Sequence, residues 1–95
     1  MEILVSGNSI TVNGNIKSVS NFQEIKNSLD SLTMQNKSIV INIIDSLSIT
    51  SSVIGYFNKL ILKDKIDVQI NVGNNQLYDL LNELNLISVF RVRKV

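Results

Sequence analysis

Ninety-five residues, 44% hydrophobic and 18% charged, make one globular domain over residues 1–95, with material for a single core and not for two. Nine basic against eight acidic residues leave a formal charge of +1, and three Phe, two Tyr and no Trp offer little for base stacking, so nucleic acid and acidic membranes are not the expected partners. The absence of cysteine and histidine removes disulfides, thiol chemistry, the usual general base and the commonest metal ligand. The opening M-E-I-L-V lacks a basic segment followed by an apolar one, and no uncharged run approaches the roughly 20 residues of a membrane span. A cytoplasmic protein with no direct membrane insertion is expected.

In chain order, Glu2 to Val5 and Ser9 to Asn13 read as two strands joined by a tight hairpin at Ser6-Gly7-Asn8. Gly14-Asn15-Ile16-Lys17 leads out of the second. A first helix is expected from Asn21, where Asn21 and Glu24 have the spacing of a capping box and Ser20 competes as cap. Phe22, Ile25, Leu29 and Leu32 form its apolar stripe, and it ends within Met34–Lys37.

Ile39 to Ile44 is β-branched everywhere except Asn42, which predicts a strand covered on both faces. A joint rich in hydroxyl groups follows, with Ser48, Thr50, Ser51 and Ser52 placed to cap a helix. That helix runs to about Asp64 and carries Val53, Ile54, Phe57, Leu60 and Ile61 on its core stripe. With Phe57 at the centre of the stripe, Ser52, Gly55, Lys59 and Leu62 fall on the opposite side. A glycine costs about 1 kcal/mol against alanine in a helix interior. An outward Gly55 beside an outward Leu62 would let a partner approach the backbone; the alternative is that both are incidental.

Ile66 to Val72 alternates apolar and polar residues as a strand with one wet face does. Gly73-Asn74-Asn75 is a turn containing the next N-cap. Leu77, Leu80, Leu81 and Leu84 mark a third helix, and Asn85 suits a left-handed cap behind it. Leu86–Phe90 turns into a last strand reaching Val95, in which Arg91, Arg93 and Lys94 form the wet side. The fold class is α/β: a single-domain mixed sheet with helices packed on it, in the order β-β-α-β-α-β-α-β.

An apolar strand, I-T-S-S-x-x-G at a helix start and a later L-N-E-L-N-L-I-S-V-F-R-V together resemble the STAS domain. That family includes the anti-sigma-factor antagonists and the cytoplasmic tails of sulphate transporters. Its joint usually reads D-S-[ST]-G, with a phosphorylatable serine after the Asp. By this resemblance Ser51 takes the place of the phosphoacceptor, with Ser52 as the alternative, Thr50 stands for the Asp and Val53 for the glycine. The segment Gly14–Lys17 is similar to the family's G-E-L-D, with Lys17 where an Asp is usual. Non-acidic residues at Lys17, Asn42 and Thr50 would leave a site less negative than usual, with Lys17 able to serve as a phosphate ligand.

As an enzyme the chain is poorly equipped: with no histidine, a serine nucleophile would need a Lys or a carboxylate as its base. There is no G-x-x-x-x-G-K-[ST] loop, no H-E-x-x-H and no calcium-loop spacing, so no metal or cofactor is expected. The expected function is a non-enzymatic interaction module that resembles an anti-sigma-factor antagonist. Its expected partner is a kinase-type anti-sigma factor, docked around Thr50, Ser52, Gly55, Lys59 and Leu62 and released by phosphorylation of Ser51. The alternative is a STAS-like accessory subunit of a membrane transporter complex. For Ser51 and Ser52 themselves, ordinary helix capping is the other reading.

Overall fold

Gly7 closes the opening hairpin. At φ +57° it holds the first central position of a two-residue turn, the left-handed backbone that a type II′ turn needs there. The computed structural model describes residues 1–95. The turn joins β1 (Glu2–Ser6) to β2 (Ser9–Asn13), and α1 (Val19–Gln35), β3 (Ser38–Ile43) and α2 (Ser51–Asn58) follow. A π-helical turn, Lys59–Lys63, prolongs α2 before β4 (Asp67–Val72), α3 (Asn75–Glu83) and β5 (Val92–Lys94). This is the expected α/β order.

The sheet order is β1-β2-β3-β4-β5, antiparallel at the hairpin and parallel elsewhere. Each parallel crossover steps one strand in the same direction. Right-handed connections therefore lay α1, α2 and α3 on one face of the sheet. Burial follows the strand alternation. Ile10 and Val12, Ile39, Ile41 and Ile43, Val68, Ile70 and Val72, and Val92 are buried under the helices. All the buried apolar side chains fall in one cluster, so there is one core.

The expectation that β3 is covered on both faces is therefore corrected. Val40 and Asn42 are only half-buried, and Ile44 lies beyond the strand, 40% exposed. A β-branched run looks the same whether or not its second face is covered; the crossovers decide that. On the open face Asn42 donates to Thr11 Oγ1 at 3.4 Å and Asn71 donates to Asn42 Oδ1 at 2.8 Å. A polar ladder thus crosses three strands and satisfies its amides side by side.

One helix start and two apolar stripes also depart from expectation. Ser18 caps α1: its Oγ accepts from Asn21 N at 3.0 Å, while Asn21 Oδ1 accepts from Ser18 N at 3.2 Å. Asn21 is the returning partner of the capping box, and neither it nor Ser20 is the N-cap. In α2 the buried side chains are Val53, Tyr56 and Phe57, with Leu60 in the π-turn, and Ile54 and Ile61 sit at the margin of the stripe. Leu84 is 47% exposed, outside the α3 stripe of Leu77 and Leu81. It is the C-cap residue, and the chain unwinds behind it. Asn85 takes φ +60°, its N–H reaches Asn82 O at 3.0 Å, and Leu86 N reaches Leu81 O at 2.9 Å. These are the paired bonds of a Schellman motif, with Asn at its left-handed position as expected.

Phe57 joins α2 to the end of the chain. It is 1% exposed and meets Phe90 edge-to-face, with ring centroids 5.7 Å apart. Tyr56 joins α2 to α1. Its hydroxyl donates to Asp30, its ring meets Phe22 edge-on at 6.3 Å, and the Lys26 and Lys59 ammonium groups lie 5.9 and 5.7 Å from its centroid. Hydrogen bonds from Lys26 and then Tyr56 hold the Asp30 carboxyl below its ordinary value. Burial, then the Asp30 carboxylate, raise the Tyr56 phenol well above its own.

Phe57→Ala should cost about 3–5 kcal/mol in urea melts, because it empties the centre of the core beneath α2. Tyr56→Phe should cost about 1 kcal/mol at neutral pH through loss of the hydrogen bond to Asp30. Since the fold lowers the Asp30 pKa, this stabilisation is complete above the ordinary carboxylate value of 3.8 and is lost as pH falls through the lowered one. The difference between wild type and Tyr56→Phe should therefore shrink in melts taken below that value, and a constant difference would assign the effect to packing.

Candidate functional site

The parallel strands β2, β3 and β4 end on the same side of the sheet, and three loops gather there: 14–18, 44–50 and 73–74. In open α/β sheets ligands are met beyond the carboxyl ends of the strands. Side chain to backbone bonds hold the first two loops together. Asp45 Oδ1 accepts from Gly14 N at 2.6 Å, and Asn15 Oδ1 accepts from Leu47 N at 2.9 Å. Ser46 is the one buried polar residue; its Oγ accepts from Ile16 N at 2.9 Å and donates to Ser48 O at 2.6 Å. The third loop comes equally close. Gly73 N donates to Ile43 O at 2.9 Å, and a Cβ on Gly73 would run into the Ile44 carbonyl oxygen.

This clamp delivers the chain to the start of α2 at a fixed place. Thr50 caps the helix, its Oγ1 accepting from Val53 N at 3.3 Å. Ser51 and Ser52 occupy the first two helical positions, both exposed, and neither hydroxyl makes a hydrogen bond within the chain. The capping role open to all these hydroxyls thus falls to Thr50 alone.

The other singled-out residues divide. Ser52, Gly55, Lys59 and Leu62 are all exposed, as the helical spacing predicts; Leu62 is 63% exposed and a Cβ on Gly55 would meet nothing within 4 Å. Lys59 is not a free charge there, since its ammonium pairs with Asp64 at 2.9 Å. Lys17 is exposed in the clamped 14–18 loop and forms no ion pair; the pairs present are Lys26–Asp30, Lys59–Asp64 and Arg91–Asp67. Asn42, expected near the same end, spends its side chain on the open-face ladder instead.

The roles of Asp45, Ser46 and Asn15 carry no local signal in the sequence. Asp-Ser directly behind a strand is a turn signal, but nothing local indicates that its partners lie thirty residues earlier. Between the 44–50 loop and α3 runs an open cleft whose walls include Leu47, Ser48, Asp79 and Glu83. No group of three or more metal-ligating side chains converges anywhere, and no helix is long and apolar enough to cross a membrane.

Single alanine substitutions should separate these roles in urea melts. Ser46→Ala should cost about 1–3 kcal/mol, leaving the buried Ile16 N–H without an acceptor. Thr50→Ala should cost about 1 kcal/mol as a lost cap. Ser51→Ala and Ser52→Ala should stay within about 0.5 kcal/mol of wild type. A loss at Ser51 equal to that at Thr50 would move the cap to Ser51.

No family model, no curated protein and no solved structure matches this chain.

Proposed function

We propose that the chain is a non-enzymatic interaction module of the STAS kind, resembling an anti-sigma-factor antagonist. In this reading the outward side of α2 docks on a kinase-type anti-sigma factor in the cytoplasm, and phosphorylation of Ser51 ends the contact. The observation that carries it is the state of the Ser51 hydroxyl. It is exposed, makes no hydrogen bond and stands at the first position of a helix already capped by its neighbour. A phosphoacceptor needs a hydroxyl that a second protein can reach and that the fold does not require.

Electrostatics favour such a switch. Transfer of the γ-phosphoryl of ATP to Ser51 Oγ, with loss of the hydroxyl proton and release of ADP, adds roughly 1.5 to 2 negative charges. The positive end of the helix dipole accommodates them, so the fold survives while the surface changes sign. Lys17, without an ion-pair partner in the neighbouring loop, is the side chain proposed to meet the phosphate. Open space at Gly55 and the exposed Leu62 supply a close-approach surface on the same helix and its π-turn.

Affinity capture with the purified protein, followed by incubation with the captured partner and ATP, tests this. Ser51→Ala should bind the partner and resist phosphorylation, while Ser52→Ala should remain a substrate. Ser51→Asp should stay folded and lose affinity, because the interface must then bury an unpaired charge. Gly55→Arg should abolish capture with stability within about 1 kcal/mol of wild type. Phosphate mapped to Ser52 by mass spectrometry would move the switch. A transporter ATPase as the captured partner, with no phosphate on either serine, would replace the antagonist reading by that of an accessory subunit.

A further inference from the structure

The two edges of the sheet are finished differently. β5 is a three-residue strand carrying Arg93 and Lys94, preceded by Arg91 at φ +51° and by the Arg91–Asp67 ion pair. Short length, bound charge and a kinked entry are the usual protections of a sheet edge. β1 has none of them. Its five residues pair with β2 without a bulge, it contains neither Lys nor Pro, and its one charged residue, Glu2, stands at its end. Leu4 and Val5, on opposite sides of the strand, are each 54% exposed. Between it and α1 lies an open groove whose walls include Val5, Ser28, Leu32 and Gln35.

The hairpin determines which backbone groups face outward. Ser6 and Ser9 flank a two-residue turn and so form a hydrogen-bonded pair. Pair types alternate along an antiparallel ladder, so Glu2, Leu4 and Ser6 bond to β2 while Ile3 and Val5 turn their N–H and C=O groups to the free edge. Such a row is a template on which another strand can pair.

β1 is also complementary to itself. About a two-fold axis at Leu4, an antiparallel copy sets Ile3 opposite Val5, Leu4 opposite Leu4 and Glu2 opposite Ser6. Each Ile3–Val5 pair can exchange both backbone hydrogen bonds. The apolar side chains meet on both faces, and each Glu2 faces a hydroxyl instead of its own charge. The opposite edge, with Arg91, Arg93 and Lys94, would set like charges against one another in any comparable self-pairing.

We propose that β1 is the interface of a homodimer in which a second copy of this chain extends the sheet edge to edge about Leu4. The occupant is a second copy because the free backbone groups offer a template for a strand and the residue register of β1 matches its own reverse, with no charge set against its like. The surface uses none of the residues of the proposed switch, so either can fail without the other.

Analytical ultracentrifugation of the intact protein at concentrations up to about 1 mM should show a reversible monomer–dimer equilibrium. Leu4→Lys places two ammonium groups on the axis, and Leu4→Glu two carboxylates. Each should move the transition about tenfold or more upward in concentration. An equimolar mixture of the two should regain dimer, as a heterodimer. Val5→Pro removes an outward N–H from an edge strand that tolerates proline and should likewise be monomeric. Melting curves check that each variant is folded. A wild type that remains monomeric, variants that still dimerise, or a mixture that fails to pair would each overturn the assignment.

Discussion

Every other feature of this molecule depends on the one-sided sheet. Four adjacent strands run parallel in sequence order, so each crossover has the same hand and returns to the same face. The chain concentrates its apolar burial in a single layer between sheet and helices. Ile41, Ile70 and Phe57 are essentially inaccessible there, and both aromatic contacts lie on the helical side. The uncovered face is stabilised by lateral amide bonds between Thr11, Asn42 and Asn71 in place of packing. A chain of this length has one core to build, and the topology allows it only one side.

The same constraint places the site. Parallel strands bring their carboxyl ends together, so loops distant in sequence must share one small region. Ser46 settles how they fit, by giving a buried acceptor to Ile16 N and a donor to Ser48 O. Its neighbours Asp45 and Asn15 tie the rim. With this clamp made and Thr50 engaged at the cap, the Ser51 and Ser52 hydroxyls are left without a hydrogen bond within the chain. That division of labour separates a hydroxyl needed for the fold from one available to a partner.

Stability and the proposed interaction draw on opposite sides of α2. Inward, Tyr56 and Phe57 connect the helix to Asp30 and Phe90. Outward, Gly55 gives up helix propensity, and the π-turn that follows carries Leu62 into solvent. Such turns interrupt the regular ladder and are frequent at functional positions, in keeping with an outer surface that contributes little to the core.

By itself the sequence determined the local structure. Alternation marked β4, the Gly7 turn marked the hairpin, the Gly73-Asn74-Asn75 turn and Asn85 marked the two ends of α3, and the spacing around Phe57 put Ser52, Gly55, Lys59 and Leu62 outside. These are signals carried by residues within a few positions of one another, where backbone geometry and side-chain period suffice. At the start of α1, where Asn21 and Ser20 were the expected caps, Ser18 holds that place and Asn21 is its returning partner. Only the tertiary structure decided which face of β3 would be covered and which loops would be clamped together. Those outcomes depend on the hand of the crossovers and on partners some thirty residues away, and no periodicity within a single element carries that information.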